Sequence, residues 1–265
     1  MTDPVDLSIR QFRDAWQLMC AGGPGRSFAA GDGIEYIFSG LPIAFFNAAL
    51  LTGQNVSGDR LEAHGKAACE WAADKTVPWL FVVTQEALQP GVDATAVLDH
   101  CELAPMMPLT GMLAQKVAPA SRIPEGLQID VPQDDSGCSA LLDVNSLAYG
   151  MDLEAGKPVI GTRSFWNGHV PALGRVGDTP ACCAAVMMVD GHRYVALVAT
   201  DPAQQRRGYA EAAMRTALDV AAREHGERTT VLHATDAGRP IYHRMGYEPI
   251  ANHTIFMEKK FLAGH

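Results

Sequence analysis

The stretch that decides the fold is Val198-Ala-Thr-Asp-Pro-Ala-Gln-Gln-Arg-Arg-Gly-Tyr-Ala210. It begins at the end of an apolar run, Tyr194 to Thr200, that is typical of a strand, and it passes through a proline turn into an amphipathic helix. The first turn of a helix has unpaired backbone N–H groups and a partial positive charge, which favour phosphate binding. Gly208 lets a ligand approach the backbone, and the two arginines before it supply charge-assisted hydrogen bonds. The stretch therefore predicts a pyrophosphate cradle.

The hexapeptide Gln205-Arg206-Arg207-Gly208-Tyr209-Ala210 resembles the acetyl-CoA signature of the GNAT superfamily of acyltransferases, Gln/Arg-x-x-Gly-x-Gly/Ala after a strand. Taken alone, it also fits a basic helix start that binds no ligand. A second stretch, Ala234 to Tyr247, resembles the family's second signature, in which a tyrosine on a short helix precedes a Gly-aromatic pair. Because both signatures occur in the family's order and separation, the C-terminal half is identified as a member of the GNAT superfamily.

The resemblance implies how acetyl-CoA would be held. The pantetheine arm would bind like an extra strand along the backbone of Val198, Ala199 and Thr200. The pyrophosphate would bind the N–H groups of six consecutive residues: Gln205, Arg206, Arg207, Gly208, Tyr209 and Ala210. Gln205 replaces the arginine that is commoner in the family. Thr235 stands where many relatives carry an asparagine near the pantetheine arm, and simple helix capping is the alternative interpretation.

Direct acyl transfer from a thioester to an amine needs a base for the amine, a donor for the oxyanion and an acid for the leaving thiolate. Tyr242 matches the family's general-acid tyrosine, since a phenol with a pKa of about 10 stays protonated at neutral pH. A tyrosine that only packs on CoA is the alternative. A backbone N–H near Val198 would polarise the thioester carbonyl. The candidates for the base are Asp143, His169, His192 and His233; of these His233 is preferred, because it ends its strand near the site.

Composition narrows the class of protein. With 265 residues the chain is too long for one GNAT domain and predicts two modules. No apolar run reaches membrane-spanning length and the start lacks the features of a signal peptide, so we expect a soluble cytoplasmic protein that binds no membrane. Six cysteines without metal-ligand spacing predict buried reduced thiols and no metal site. Thirty acidic against twenty-one basic residues argue against nucleic acid as a partner.

The C-terminal half has a clear pattern of elements. Apolar periodicity and turn residues predict strands at 127–131, 170–176, 181–189, 194–200, 229–233 and 253–257, and helices at 138–149, 209–225 and 238–244. The middle helix has one apolar stripe from Ala210 to Ala221. The order β-α-β-β-β-α-β-α-β matches the GNAT fold, an α/β (α+β) class with a mixed, mostly antiparallel sheet flanked by helices.

The N-terminal half repeats part of this order. It predicts strands at 34–38, 44–52, 79–84 and 109–115, with helices at 59–75 and 92–106. After its central strand the chain reads Gly53-Gln-Asn-Val-Ser-Gly-Asp59, which lacks the signature and places Asp59 where it would repel a phosphate. We interpret this half as a degenerate GNAT-like module that binds no cofactor. An unrelated α/β domain is the alternative.

The module boundaries follow from a stretch of small residues and prolines. The predicted organisation is a degenerate module at 1–118, a linker at 119–126 and a catalytic GNAT domain at 127–265. Another glycine-rich stretch, Gly22 to Ser27, is interpreted as a flexible loop, because no strand precedes it and no Lys-Ser/Thr follows. Tyr149, Phe165 and Trp166 are interpreted either as lining of an acceptor pocket or as core residues.

These observations favour one function over two others. The leading hypothesis is an N-acyltransferase that moves an acetyl group from acetyl-CoA, its co-substrate, to a primary amine. The acceptor is a small-molecule amine or a protein amine, and the chain is a monomer or a homodimer. One alternative is a catalytically silent acyl-CoA-binding regulatory module. The other is a protein-lysine acetyltransferase whose N-terminal module binds the partner.

Overall fold

A computed structural model describes residues 3–120 and 124–262 of the chain. Positions 121–123 of the predicted linker lie outside the described residues. The contacts divide the chain into two compact units. The first unit contains the residues up to Met112, His233–Pro240 and the residues from Pro249 onward, and the second contains Leu113–Leu232 and Ile241–Glu248.

The described residues form eleven strands and eight α-helices. The strands are β1 Ser27–Ala30, β2 Ile34–Phe38, β3 Asn47–Leu51, β4 Leu80–Thr84, β5 Leu103–Ala114, β6 Leu127–Asp130, β7 Val170–Val176, β8 Thr179–Val189, β9 His192–Thr200, β10 Thr230–Ala234 and β11 Glu248–Glu258. The α-helices are α1 Pro4–Cys20, α2 Gly58–Ala72, α3 Ala94–Asp99, α4 Asp135–Tyr149, α5 Lys157–Ile160, α6 Tyr209–His225, α7 Arg239–Arg244 and α8 Lys259–Leu262.

The first unit is built on strands in the order β1-β2-β3-β4-β11-β5. β3 and β4 are parallel, whereas β11 is antiparallel to β4, from His253↔Thr84 to Met257↔Leu80. The last strand of the chain therefore belongs to the first unit, and the compact units differ from the sequential modules 1–118 and 127–265. Three successive residues of β11, Ile255 to Met257, are buried, so both faces of the strand need cover and it lies inside a sheet.

The second unit is built on strands in the order β10-β9-β8-β7-β6. β6 to β9 are antiparallel neighbours, and β10 is parallel to β9. α4 contacts β7, β8 and β9, and α6 contacts the same three strands. This confirms the predicted fold class, a mixed and mostly antiparallel sheet flanked by helices.

The predicted apolar stripe on α6 is the face that packs on the sheet. Ala213, Met214, Ala217, Leu218 and Ala221 are all buried. Ala210, the first predicted member, is only half-buried, and Tyr209 is buried in its place. On the other face, Arg215 donates to Glu211 at 2.9 Å, as expected for residues one turn apart. The packing fixes where α6 begins, and hence where its N-terminal N–H groups point.

Several elements of the first unit differ from the sequence-based prediction, which contained neither α1 nor β1 and placed the bounds of α3 and β5 differently. The helix predicted at 92–106 ends at Asp99, and β5 begins at Leu103. Pro105 and Pro108 explain the change, because a proline in a helix interior loses a hydrogen bond and clashes with the preceding turn. α1 was not predicted, although Asp3 caps it by accepting from Val5 N at 2.7 Å and Pro4 fits the first helical position.

Candidate functional site

In the part of the chain that the structure describes, no side-chain hydrogen bond caps the N-terminus of α6. Pro202 to Gln204 form one 3₁₀ turn after β9, Gln205 is extended, and Gly208 occupies the N-cap position with φ +83° and ψ +12°. The first N–H groups of an α-helix have no partner inside the helix, so a missing cap leaves them to solvent or a ligand. Gln205 to Gly208 are exposed. The geometry suits an anion of the size of a phosphate.

The loop before α6 contains two residues in left-handed backbone conformation. Besides Gly208, Arg206 has φ +64°, which is uncommon for a residue with a side chain. Such a conformation costs on the order of 1 kcal/mol or more and persists where the surrounding structure fixes it, often at ligand sites. With Arg207, the loop carries two guanidinium groups next to the positive end of the helix dipole, which adds attraction for an anion.

The corresponding loop of the first unit is closed by its own hydrogen bonds. Ser57 caps α2, since its hydroxyl accepts from Arg60 N at 3.3 Å. Val56 N donates to the Ala87 carbonyl at 2.9 Å, and the Val56 carbonyl accepts from Gln89 N at 2.9 Å. Asp59 adds a negative charge to the first turn of α2. Backbone and helix start are therefore already occupied there, in contrast to the start of α6.

β9 has an incomplete partner on one side. Its pairing with β10 comprises Thr230↔Arg193 and Val231↔Tyr194 and stops there. Within the described residues, Val195 to Thr200 have no register partner in β10, whereas β3 and β4 of the first unit pair over three residues. Ala196, Leu197 and Val198 are half-buried. An unpaired strand edge can accept an extended ligand through its backbone groups.

A β-bulge interrupts β9 at the same place. Ala185 pairs with Ala196 and Cys183 with Ala199, so two residues, Leu197 and Val198, oppose one residue of β8. Leu197 has φ +52°, which only a small fraction of residues with a side chain adopt. Its carbonyl accepts from the Cys183 thiol at 3.2 Å and from Asn145 Nδ2 at 3.4 Å. The bulge therefore turns the Leu197 carbonyl away from a regular ladder position.

Tyr149 lies between Tyr242 and the end of β9, because it interacts with both. Tyr149, the last residue of α4, donates its hydroxyl to the Val198 carbonyl at 2.8 Å. Tyr242 is buried in α7, and burial raises the pKa of its phenol, with further contributions from Tyr149 and Tyr247. Tyr242 therefore stays a neutral donor above the usual pKa of a tyrosine. The contact of Tyr149 with Val198 was not predicted from the sequence.

Other sequence-predicted residues have structural partners. The Thr235 carbonyl accepts from Gly238 N at 3.0 Å and Arg239 N at 3.1 Å, which starts α7; a contact of its hydroxyl with a ligand stays a prediction. Trp166 is fully buried and donates to the Ile160 carbonyl at 2.8 Å, so it is a core residue. Phe165 packs edge-on against Trp166, with ring centroids 4.8 Å apart.

Three of the four candidate bases are held by neighbours. Asp143 forms an ion pair with Lys157 at 2.7 Å. His192 Nδ1 lies 2.7 Å from the Asp190 carbonyl, and His169 Nδ1 accepts from Met188 N at 3.2 Å. Burial lowers the pKa of His169. These contacts give each group a structural role and single out none as the base.

His233 belongs to a buried polar network in the first unit. The Ser8 hydroxyl lies 3.0 Å from His233 Nε2 and 2.9 Å from His253 Nε2. Nδ1 of His253 lies 2.9 Å from the Thr84 hydroxyl, and Phe12 stacks on His233 with ring centroids 4.0 Å apart. Because Ser8 has one hydroxyl proton, at least one of the two imidazoles must donate to it. Burial lowers the pKa of both histidines, to about 4 for His253.

We expect this network to make folding sensitive to mild acid. A histidine with a lowered pKa in the native state stabilises the fold fully above its ordinary pKa of 6.5, and the contribution falls as the pH drops toward 4. Lowering the pH from 7 to 5 should reduce the free energy of unfolding by roughly 2 kcal/mol through the protonation of His253 alone. Urea unfolding at both pH values measures this loss. His253→Gln should reduce the difference, and an equal loss in that variant would contradict the assignment.

The comparison with protein families identifies the C-terminal stretch. Residues 191–250 match the model of the acetyltransferase (GNAT) domain. The match contains the whole of β9, the α6 start and α7 with Tyr242. These residues belong to a GNAT domain. No curated protein matches the chain.

Solved structures with the same fold extend the similarity over nearly the whole chain. A GCN5-related N-acetyltransferase from Kribbella flavida aligns with a TM-score of 0.69 and 19% identity, covering 95% of both chains. One from Sphaerobacter thermophilus aligns with a TM-score of 0.62 and 14% identity, covering 97% of this chain and 93% of that one. A tandem GNAT protein from the clavulanic acid biosynthesis pathway gives 0.55 and 13%, covering 95% and 94%. At these identities the similarity establishes the fold alone.

No group of three or more His, Cys, Asp or Glu side chains in the described parts of the chain is arranged to hold a metal ion. None of the helices in those parts combines the length and apolar character that crossing a membrane requires. All six cysteines are free, five buried and Cys69 half-buried.

Proposed function

We propose that the GNAT domain transfers an acetyl group from acetyl-CoA to a primary amine by direct attack. The single observation that carries the proposal is the open edge of β9, which is followed, after one 3₁₀ turn and a short loop, by the uncapped N-terminus of α6. An extended ligand arm that ends in a pyrophosphate needs both features in this order. The first unit has the same strand-to-helix sequence but closes it with Ser57 and Val56, which argues for one donor site in the chain.

The residues around the strand and helix fit the donor. Val198, Ala199 and Thr200 would hydrogen-bond the pantetheine amides through their backbone groups. The N–H groups from Gln205 to Ala210 would bind the pyrophosphate, with Arg206 and Arg207 as cationic neighbours. Gly208 suits this place, because its φ of +83° and lack of a side chain leave the helix start accessible. The Val198 carbonyl is bonded to Tyr149, so pantetheine would have to replace that contact or bind beside it.

The chemistry then divides between backbone and side chain. The amine nitrogen attacks the thioester carbonyl, the C–N bond forms, the C–S bond breaks, and the amine proton leaves to a base that stays unassigned. The Val198 N–H would stabilise the oxyanion, since a trans peptide directs it opposite to the Leu197 carbonyl, which Asn145 and Cys183 bind. Tyr242 would protonate the departing thiolate and regain its proton from solvent.

The first unit has a different part in this proposal. We propose that it is a degenerate GNAT-like module that binds no cofactor and serves acceptor selection or dimer formation. Its closed helix start supports this, and the similar tandem GNAT protein makes a duplicated architecture reasonable. The acceptor is a small-molecule or protein amine, the protein works in the cytoplasm without metal, nucleic acid or membrane, and it is a monomer or homodimer. The net charge of −9 favours a cationic amine as acceptor.

Thermal unfolding with and without acetyl-CoA and free CoA tests the proposal, followed by a thiol-release assay on an amine panel. A ligand that binds only the native state raises the midpoint temperature of unfolding. At a ligand concentration of one hundred times Kd, the free energy of unfolding increases by about 2.7 kcal/mol. We expect a rise with both ligands and thiol release with acetyl-CoA and an accepted amine. A rise without release from small amines, but with acetylation of added protein, indicates a protein-lysine acetyltransferase. A rise without any release indicates a regulatory module, and no rise refutes the donor site.

A further inference from the structure

Two adjacent carbonyls of β9 accept hydrogen bonds from the same helix. Asn145 donates to the Leu197 carbonyl at 3.4 Å, and Tyr149 donates to the Val198 carbonyl at 2.8 Å. In a regular strand, successive carbonyls point to opposite edges, so one helix cannot bind both. Asn145 and Tyr149 are one turn apart on α4 and therefore lie on one face. The bulge at Leu197 is what turns both carbonyls toward that face.

Cys183 and Asn145 form a small buried cluster around the Leu197 carbonyl. The Cys183 thiol lies 3.2 Å from this carbonyl and accepts from Asn145 Nδ2 at 3.1 Å. Asn145 also donates to the Leu141 carbonyl at 2.9 Å, which ties the cluster to the backbone of α4. Asn145 is 3% exposed and Cys183 is fully buried. A buried amide is retained where its hydrogen bonds are satisfied, and here the Nδ2 group of Asn145 is shared among the Leu141 carbonyl, the Cys183 sulfur and the Leu197 carbonyl of the bulge.

The two side chains account for the unusual backbone of Leu197. A leucine with φ +52° has no local reason to stay in the left-handed region, unlike a glycine or an asparagine. The hydrogen bonds from Asn145 and Cys183 keep its carbonyl turned inward. Because the peptide bond is trans, the N–H of Val198 is then directed away from both side chains. The orientation of one backbone donor thus depends on two buried side chains from α4 and β8.

We propose that Asn145 and Cys183 are positioning residues that hold the Val198 N–H on the acyl carbonyl of the donor. The inference rests on the proposed function, since it assigns the residues that orient its oxyanion donor. Oxyanion stabilisation depends on a donor that is already in place when charge develops, so loosening the donor lowers the rate of acyl transfer more than the affinity for the donor. The role belongs to the hydrogen bonds of the two side chains and not to their volume.

The neighbouring residue Cys182 offers a matched control. It is also fully buried on β8, but its sulfur faces Gly174 of β7, where a Cβ at position 174 would lie 2.4 Å from it. Cys182→Ala and Cys183→Ala both remove one buried sulfur from adjacent positions of one strand. They share the cost of a small cavity, while only Cys183→Ala removes a contact with the Leu197 carbonyl.

The experiment compares Asn145→Ala, Cys183→Ala, Cys183→Ser and Cys182→Ala with the wild-type chain. For the first two variants we expect kcat for thiol release to fall about 10-fold or more, with the Kd of acetyl-CoA within about 2-fold, since the full loss of an oxyanion donor costs about 100-fold or more. Cys183→Ser should recover most of the rate, because a hydroxyl can still donate to the Leu197 carbonyl. Cys182→Ala should match the wild type per folded molecule.

A second measurement follows the donor directly and does not need turnover. In protein labelled with ¹⁵N-valine, the Val198 amide resonance, assigned with Val198→Ile, should shift on addition of acetyl-CoA and much less with free CoA, which has no acyl carbonyl. Cys183→Ala and Asn145→Ala should lose that difference, whereas Cys182→Ala should keep it. Thiol release without an acetyl-specific Val198 shift, or an equal loss in Cys182→Ala, overturns the positioning role alone. Absence of acetyl-CoA binding to the wild type overturns the proposed function and this inference together, while binding without release overturns only the proposed turnover.

Discussion

Replacing Gly208 with glutamate should abolish the binding of acetyl-CoA. Gly208 is the N-cap of α6, and among the described residues no side-chain hydrogen bond caps this helix. A glutamate there places a negative charge and a bulky side chain against the N–H groups that would bind the pyrophosphate. The loss of two charge-assisted hydrogen bonds, at about 1.5 to 3 kcal/mol each, amounts to an increase in Kd of about 100-fold or more. Isothermal titration with acetyl-CoA and with free CoA measures the change.

Gly226 at the other end of α6 supplies the control for this variant. Its φ of +80° and ψ of +165° lie in a region that is essentially restricted to glycine, so a side chain there is strained at least as much as in the αL conformation of Gly208, with φ +83° and ψ +12°. A Cβ at position 226 meets no atom within 4 Å. Gly226→Glu therefore adds the same charge, with at least as much backbone strain, at the end of α6 without the predicted phosphate site, and the folded variant should keep wild-type affinity. If Gly208→Glu also binds with unchanged Kd, the assignment of the α6 start as the pyrophosphate site is wrong.

The strand-turn-helix stretch could be predicted because its signals are local. The apolar run that ends at Thr200, the proline at 202 and the glycine at 208 each restrict the backbone within a few residues. The stripe on α6 is likewise a periodic signal in one segment, and the structure buries nearly all of it. The site follows from these elements because the end of one and the start of the next are covalently joined.

Pairing between distant segments could not be predicted in this way. β11 pairs with β4, about 170 residues earlier in the chain, as in His253↔Thr84. Nothing in the alternation of β11 distinguishes this partner from a strand closer in sequence. The first compact unit consequently contains two segments, His233–Pro240 and the residues from Pro249 onward, that a sequential division at 119–126 assigns to the C-terminal module. The partner of a strand is decided by packing on both of its faces, which a single segment does not encode.

The bulge in β9 could not be predicted from the sequence for a related reason. Leucine is an ordinary strand residue, and only glycine, asparagine or aspartate commonly marks a left-handed position. The conformation of Leu197 is imposed by Asn145 and Cys183, which lie 52 and 14 residues away from it along the chain. Tyr149 bonds to Val198 from a similar distance in sequence. The backbone conformation of β9 at the candidate site thus depends on tertiary contacts, whereas the predicted pyrophosphate cradle depends on local ones.

Replacing Tyr242 with phenylalanine should lower kcat for thiol release by about 100-fold or more, the range of general acid catalysis, with little change in the Kd of acetyl-CoA. The variant removes only the hydroxyl, and the ring keeps its place in the core. Burial, Tyr149 and Tyr247 raise the pKa of Tyr242 above the ordinary value of 10.0, so the phenol should remain a donor throughout the neutral range. Stopped-time thiol release and titration of acetyl-CoA separate the two constants.

Tyr247 provides the matched control for the acid, since its ring lies 6.1 Å from that of Tyr242 and it is also buried. Its hydroxyl is hydrogen-bonded to Thr230, so Tyr247→Phe loses a buried bond and some stability but no proton donor for the thiolate. We expect wild-type kcat in the folded variant. The pH profile adds an independent test. Because the pKa of Tyr242 is raised, its deprotonation should cause no decrease in kcat below pH 10.0. A decrease below that pH that is present in the wild type and absent in Tyr242→Phe would contradict the assignment. Unchanged kcat in Tyr242→Phe would leave the thiolate without its assigned acid and return Tyr242 to a packing role.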